Sequence, residues 1–389
     1  MLKIFERLFL LGLAGLVFGC VLTGPQAAVA SEANGVSEVR IARLAKGINI
    51  PSWFWLNRGP VDELDKRYPD ADFQLIAKLG FTHVRVPIDM ANVYDSGQPD
   101  FLNKTSLPFL DRGIRKILSY KLAIIIDLHS ISQQEGGSNY SGPLGQDETF
   151  TETFCNFWTS FARHLSQFDP DWVILEPMNE PVLSGKEKNW PPVQEKVIAA
   201  IRKGAPKHSI LATGAQWSNL DTLLELEPLD DRNIIYNFHF YEPHIFTHQG
   251  ATWSSDWVKP LRAIPYPSTP ETMKDLIEKY SDEEIRRNIK SYGEQRWNRE
   301  KIEGRMKDVS EWAKKHSVKI ICDEWGTYKR YCPPEYRTAW LRDVRESCEK
   351  FGIGWCMWTF DGSFGVVDRE NGIAVVDKGA AIALGLNVE

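Results

Sequence analysis

The chain has 389 residues, 43% of them apolar and 25% charged, with a formal net charge of -6. That balance belongs to an ordinary globular protein and excludes disordered, collagen-like and coiled-coil architectures. The acidic charge leaves no basic footprint, so nucleic acid is not expected as a partner.

In chain order, the first thirty residues read as a leader. Lys3 and Arg7 precede an apolar run from Leu8 to Leu22, and Ala28-Val29-Ala30 then presents small residues of the kind a signal peptidase cuts after. Export to the periplasm or beyond the cell is expected, with the mature chain starting at Ser31 and no stable membrane insertion afterwards. A lipid-modified Cys20 is the competing reading, which Phe18 beside Gly19 fits poorly. The remaining cysteines, Cys155, Cys322, Cys332, Cys348 and Cys356, are odd in number and lack paired metal-ligand spacing. They rule out a disulfide-dense scaffold.

Beyond the leader, short β-branched runs alternate with amphipathic stretches. Strands are expected at Gly47 to Ile50, Thr82 to Pro87, Leu122 to His129, Trp172 to Met178, Ser209 to Thr213, Asn233 to Phe240, Val318 to Glu324 and Gly354 to Trp358. Helices are expected at Ala71 to Leu79, Leu107 to Tyr120, Thr149 to Gln167, Val193 to Lys203, Asn219 to Leu226, Lys301 to His316, Glu335 to Phe351 and Lys378 to Leu386. This alternation predicts an α/β fold, a (β/α)8 barrel formed by a single domain over 31–389. The long excursion from Pro243 to Glu300, after the sixth strand, is expected to carry short helices and to wall a cleft. Its Trp253, Trp257, Tyr266, Tyr292 and Trp297 suit packing, with one or two left to stack on a ligand.

In such a barrel the carboxyl ends of the strands build the site. Arg85 lies near the end of strand two, His129 ends strand three, and Asn179 and Glu180 follow strand four. His239 and Tyr241 close strand six, Glu324 ends strand seven and Trp358 ends strand eight. Two acids emerging at one rim suit glycosidic bond cleavage, where one carboxyl protonates the leaving oxygen and the other attacks the sugar carbon.

With Asn179-Glu180-Pro181, Asp127-Leu128-His129, His239-Phe240-Tyr241, Glu324-Trp325-Gly326 and Trp358 in this order, the mature chain resembles glycoside hydrolase family 5, the cellulase-like barrels of clan A. The resemblance implies Glu180 as acid/base and Glu324 as nucleophile of a retaining double displacement. It also implies that Asn179 holds the sugar 2-hydroxyl and that Trp358 floors the subsite at the scissile sugar. Independently, the chemistry asks that Arg85 and Tyr241 support a charged Glu324 while Glu180 stays protonated, with His129 and His239 as orienting groups.

Blander roles stand beside these. Glu176 reads as a deeper structural carboxylate, and Asp323 faces away from Glu324 if its strand is regular. Arg85 could pair with Asp89 instead. His239, His244 and His248 lack the helical HExxH spacing of a zinc enzyme, so no metal is expected. Gly136-Gly137 lacks the lysine and strand-loop-helix context of a phosphate loop, and no organic cofactor is expected. Trp53, Trp55, Trp217, Trp253 and Trp325 are candidate sugar platforms at the rim. The reading is a monomeric, exported endo-β-1,4-glucanase acting on a β-glucan, with β-mannanase or β-1,3/mixed-linkage glucanase as alternatives. A non-catalytic carbohydrate-binding barrel is the rival from another class.

Overall fold

The computed structural model describes residues 35–56, 63–131, 141–183 and 185–388. The leader and Gly136-Gly137 lie outside these residues. Eight parallel strands close into a barrel in sequential order: β1 Lys46–Asn49, β2 His83–Asp89, β3 Ala123–Ser130, β4 Val173–Glu176, β5 Ile210–Thr213, β6 Ile234–Phe240, β7 Lys319–Trp325 and β8 Gly354–Met357. The helices that follow them are α1 Asp70–Leu79, α2 Leu107–Ser119, α3 Glu148–Leu165, α4 Trp190–Gly204, α5 Leu220–Leu224, α6 Arg299–His316, α7 Pro334–Lys350 and α8 Lys378–Ala383. The expected (β/α)8 barrel is therefore present.

Local chemistry accounts for the helices. In α3, Asp147 caps the start by accepting from the Phe150 amide at 3.1 Å, and Phe154, Phe157, Phe161 and Leu165 recur at three- and four-residue spacing on the buried face. In α2, Pro108 sits in the first turn, where its missing N–H costs nothing, and Leu110, Ile114 and Ile117 face inward. Gly113 lets this helix close on Trp53: a Cβ there would lie 2.6 Å from the indole ring. Each such fully buried large side chain contributes ~1.5–3 kcal/mol.

The barrel interior has two layers. The lower one holds Leu44, Ile125, Ile174, Leu211, Ile235 and Ile321, and is covered by Val36 and Ile41 at the amino-terminal end. Arg40 ties that end down through Asp171, the Lys207 carbonyl, Ser209 and Asn233. Two residues further along each strand the inward positions turn polar, as Asp127, Glu176, Asn237 and Asp323, all buried. The period of two along a strand thus carries the apolar floor up into a polar ceiling.

The excursion carries short helices at His244–Thr247, Pro270–Ile277 and Glu283–Gln295. Tyr266, Tyr292 and Trp297 are buried in it, as packing residues should be. The short helix Glu38–Arg43 escapes the sequence reading, as does the antiparallel hairpin of β9 Val367–Glu370 and β10 Ile373–Val376. Its Asn371-Gly372 turn has φ of 52° and 83°, the left-handed pair that matches the twist of a tight hairpin.

Candidate active site

Arg85 is the hub. It is fully buried on β2 and faces carboxyl groups from three other strands: Asp127 at 3.0 Å, Glu176 at 2.7 Å, Asp323 at 3.7 Å and Glu324 at 2.9 Å. Its guanidinium also donates to Asn49 Oδ1 at 3.0 Å and Asn179 Oδ1 at 2.7 Å. One cation cannot balance so many buried anions. Burial accordingly raises Asp127 to about 7 and pushes Glu176 and Asp323 upward as well, despite the pull of Arg85. Asp89 takes no part, because it caps Ala91 and accepts from Ser130.

Glu324 has a donor on each carboxyl oxygen, Arg85 Nη1 at 2.9 Å and Tyr241 Oη at 2.9 Å. Both are donors aimed at its carboxyl group. The Tyr241 phenol is held far above its ordinary range, first by burial and then by the charge of Glu324, so it remains a donor. Glu180 is perturbed by its burial. Burial raises it to about 8, against the lowering effect of Arg85 and with further upward push from Glu176. Its Oε1 lies 2.9 Å from His239 Nδ1, which is itself 3.9 Å from Glu324. Burial lowers His239 to about 4, so the imidazole is neutral and brings no charge to strip the Glu180 proton. One carboxyl oxygen of Glu180 lies within 4.8 Å of one from Glu324. Retaining glycosidases hold their carboxyl pair about 5 Å apart, whereas inverting ones need room for a water between them.

Asn179 is positioned from both ends of its amide. Arg85 donates to its oxygen, and its nitrogen lies 3.3 Å from His129 Nε2. Burial keeps His129 neutral, lowering it to about 3, and Asp127 Oδ2 lies 2.6 Å from its Nδ1. These partners leave the second amide hydrogen of Asn179 unused. Trp358, half-buried just beyond β8, stacks on His129 with ring centroids 5.4 Å apart and planes 15° from parallel. Gly326 permits this approach, since a Cβ there would lie 2.3 Å from the Trp358 carbonyl oxygen. Glu180, Glu324, Arg85, His129, Asn179, His239, Tyr241 and Trp358 thus meet in one connected network.

Several expectations need correction. Asp323 does not face away from Glu324: it points inward in phase with Ile321, receives Asn237 Nδ2 at 2.7 Å, and lies 3.5 Å from His239. Glu324 joins it because the β6–β7 register slips between Phe238 and His239, so that His239 pairs with Glu324. A bulge of this kind re-aims a side chain next to a site. Trp53 and Trp325 are not rim platforms. Trp53 packs under α2 and donates to the Leu64 carbonyl, and Trp325 is fully buried, with its ring edge-on to Trp355 at 5.6 Å. Trp217 and Trp253 are exposed, and Trp55 is half-buried 5.8 Å from Trp358.

Two serines that the sequence reading passed over brace the Asn179-Glu180 backbone. Ser218 Oγ donates to the Asn179 carbonyl at 2.5 Å and Ser141 Oγ to the Glu180 carbonyl at 3.2 Å. Ser218 ends a run of left-handed residues, Gln216, Trp217 and Ser218, with φ of 54°, 61° and 52°. Such backbone costs on the order of 1 kcal/mol or more per residue. It delivers Trp217 to solvent beside the Glu180 strand end.

Two sets of donor atoms have the spacing of a cation site: Glu176, His239 and Asp323, and Glu180, His239 and Glu324. In both, Arg85 already supplies positive charge to the carboxylates, meeting Glu176 and Asp323 in the first and Glu324 in the second. Among the described residues His244 and His248 belong to neither set. Their rings stack on each other, 4.1 Å apart.

The pKa of Glu180 sets a pH dependence. A general acid must be protonated, and a carboxyl raised to about 8 keeps its proton through neutrality and loses it as pH rises further. We expect the alkaline limb of kcat/KM on an unactivated oligosaccharide to have its midpoint near about 8. A limb at the ordinary carboxylate range would contradict the assignment.

The comparisons with known proteins agree with this fold. The family model for cellulase, glycosyl hydrolase family 5, matches residues 64–363. Endoglucanase 3 of Fibrobacter succinogenes is 28% identical over 367 residues, covering 90% of this chain and 54% of that protein. Endoglucanase C of Acetivibrio thermocellus is 26% identical over 320 residues, covering 81% and 90%. The chain thus spans about half the length of the first and nine tenths of the second. Thermotoga maritima Cel5A, solved with cellobiose, is 25% identical with a TM-score of 0.69, covering 89% of this chain and 98% of that one. The same enzyme has been solved with mannotriose, at a TM-score of 0.68. With the family model matched over most of its length, the chain belongs to glycosyl hydrolase family 5.

Proposed function

We propose that this protein is an endo-acting β-1,4-glucanase that works by double displacement with retention. The observation that carries the mechanism is the approach of the Glu180 and Glu324 carboxyl oxygens to within 4.8 Å, one raised toward protonation and the other flanked by Arg85 and Tyr241. Glu324 attacks the anomeric carbon as Glu180 protonates the departing oxygen. The glycosyl-enzyme ester is then hydrolysed by a water that Glu180, now ionised, deprotonates. Asn179 meets the 2-hydroxyl, Trp358 underlies the sugar being cut, and exposed Trp217 offers a stacking face beside Glu180.

The choice of glucan is supported by relatives named as endoglucanases. A β-mannanase remains the second reading, favoured by the mannotriose complex of Cel5A. A product profile from a defined series of cello- and manno-oligosaccharides separates them. Internal cleavage of cellopentaose with little action on mannopentaose is the expected result, and the reverse preference overturns the glucanase reading.

A polymer substrate is met outside the cytoplasm, and the leader-like first thirty residues support export. Mass spectrometry of the mature amino terminus is expected to find Ser31. An acylated Cys20 would replace simple secretion with a membrane-anchored form.

A further inference from the structure

A cavity of about 300 Å³ opens on the flank of the 243–300 excursion, and none of the residues in the catalytic network lines it. One wall is a face of the helix Glu283–Gln295, where Asn288, Ser291 and Gln295 recur at three- and four-residue spacing while Ile285 and Ile289 turn into the core. Trp257, Trp297, Glu242 and His244 also line it, the His244 imidazole lying 2.9 Å from Ser254 Oγ and held below its ordinary range by burial.

The chemistry of this wall is neutral and polar beside aromatic rings. Both Glu242 oxygens accept from Arg305, at 2.9 and 2.8 Å, which balances the carboxylate. Trp297 Nε1 donates to Gln295 Oε1 at 2.9 Å, and Gln295 Nε2 to Ser291 Oγ at 3.1 Å, which fixes both amide and hydroxyl. Asn288 spends its amide nitrogen on the Glu284 carbonyl at 3.0 Å. Its Oδ1, the Ser291 hydroxyl proton and the Trp257 indole N–H have no partner among the described residues. Trp257 is half-buried, so part of its ring lies open.

A phosphorylated or otherwise charged ligand finds the nearby cations engaged, Arg305 by Glu242 and Lys301 by the Gln295 carbonyl at 3.0 Å and the Trp297 ring. An apolar one would strand the amide and hydroxyl groups. A hexose ring satisfies both, with C–H faces against indole and hydroxyls against Asn288, Ser291 and Trp257. We infer that this cavity is a second carbohydrate site, separate from the cleft, that takes one or two neutral hexose units of a polysaccharide. The lining supplies the ligand class, while the polymer's being the one cut in the cleft rests on the proposed function. Occupying both sites with one chain would raise the local concentration of substrate at the cleft.

Affinity electrophoresis of the full chain through gels containing mixed-linkage β-glucan tests this. The Glu324→Gln variant serves as parent, so that the polymer is not degraded during the run. Adding Trp257→Ala or Ser291→Phe is expected to reduce retardation at least about threefold. In the otherwise wild-type chain, both substitutions should leave turnover of a short aryl cellobioside unchanged, which also shows that the cleft is folded. Ser291→Phe fills the cavity without deleting a core contact, so the inference falls if that variant migrates like its parent, or if the parent itself is not retarded. Failure of the proposed glucanase activity is a separate reading, seen as absence of hydrolysis by the wild type.

Discussion

Glu324→Gln is expected to lower turnover of cello-oligosaccharides by at least about 10⁴-fold, as removal of a covalent nucleophile does in other hydrolases. The substitution is nearly isosteric, and the amide oxygen can still accept from Arg85 or Tyr241. What it lacks is the charge that attacks the anomeric carbon. Arg85 keeps Asp127 and Glu176 as partners, so the barrel should stay folded. Steady-state assays on cellotetraose and an activated aryl cellobioside, with a thermal melt beside them, make the check. Loss must appear on both substrates, because neither bypasses the first displacement. Activity within tenfold of wild type on either would remove Glu324 from the mechanism. Proton NMR of the earliest products adds a stereochemical reading, and first accumulation of the inverted anomer would exclude a covalent intermediate.

Glu180→Ala should behave differently according to the leaving group. General acid catalysis contributes on the order of 10²–10⁴-fold, and that much should be lost on natural oligosaccharides, whose leaving alkoxide needs a proton. An aryl glycoside with a good leaving group needs little protonation, so glycosyl-enzyme formation should survive while its hydrolysis, now without a base, becomes slow. Azide restores this second step because it attacks the anomeric carbon already ionised. The bond to Glu324 breaks, the carboxylate leaves with the electron pair, and a β-glycosyl azide forms. Rate recovery with azide and detection of that product are expected. If azide has no effect, or the aryl and natural substrates lose rate equally, Glu180 is not the acid/base. The same variant should lose the alkaline limb near about 8, since the group that titrates is gone.

Much of this site is readable without coordinates, for a local reason. Apart from Arg85, which sits partway along β2, its residues stand at or just past the end of an apolar strand, and that position depends only on where the β-branched run stops. The bulge is another matter. Nothing in Lys319 to Trp325 says that His239 will pair with Glu324, because the slip comes from how β6 and β7 meet across the barrel. Hence Asp323 turns inward to Asn237 and His239 instead of away from Glu324. The tryptophans show the same limit. Trp53 and Trp217 have comparable local settings, yet one is clamped by Gly113 from a distant helix and the other is thrust outward by a left-handed turn. The β9–β10 hairpin differs again, since Asn371-Gly372 announces it and the signal was simply passed over.

The order of strands and helices, and the end of the barrel at which the chemistry gathers, are written in the chain, because period and alternation are properties of neighbouring residues. Which acid keeps its proton is not. Glu176 lies on β4, Glu180 just beyond it and Asp323 on β7 across the barrel, and their protons are sorted only when the closed barrel removes water and leaves them one guanidinium to share. That sorting depends on burial and on distances of a few ångströms between residues far apart in sequence, and it exists only once the fold does.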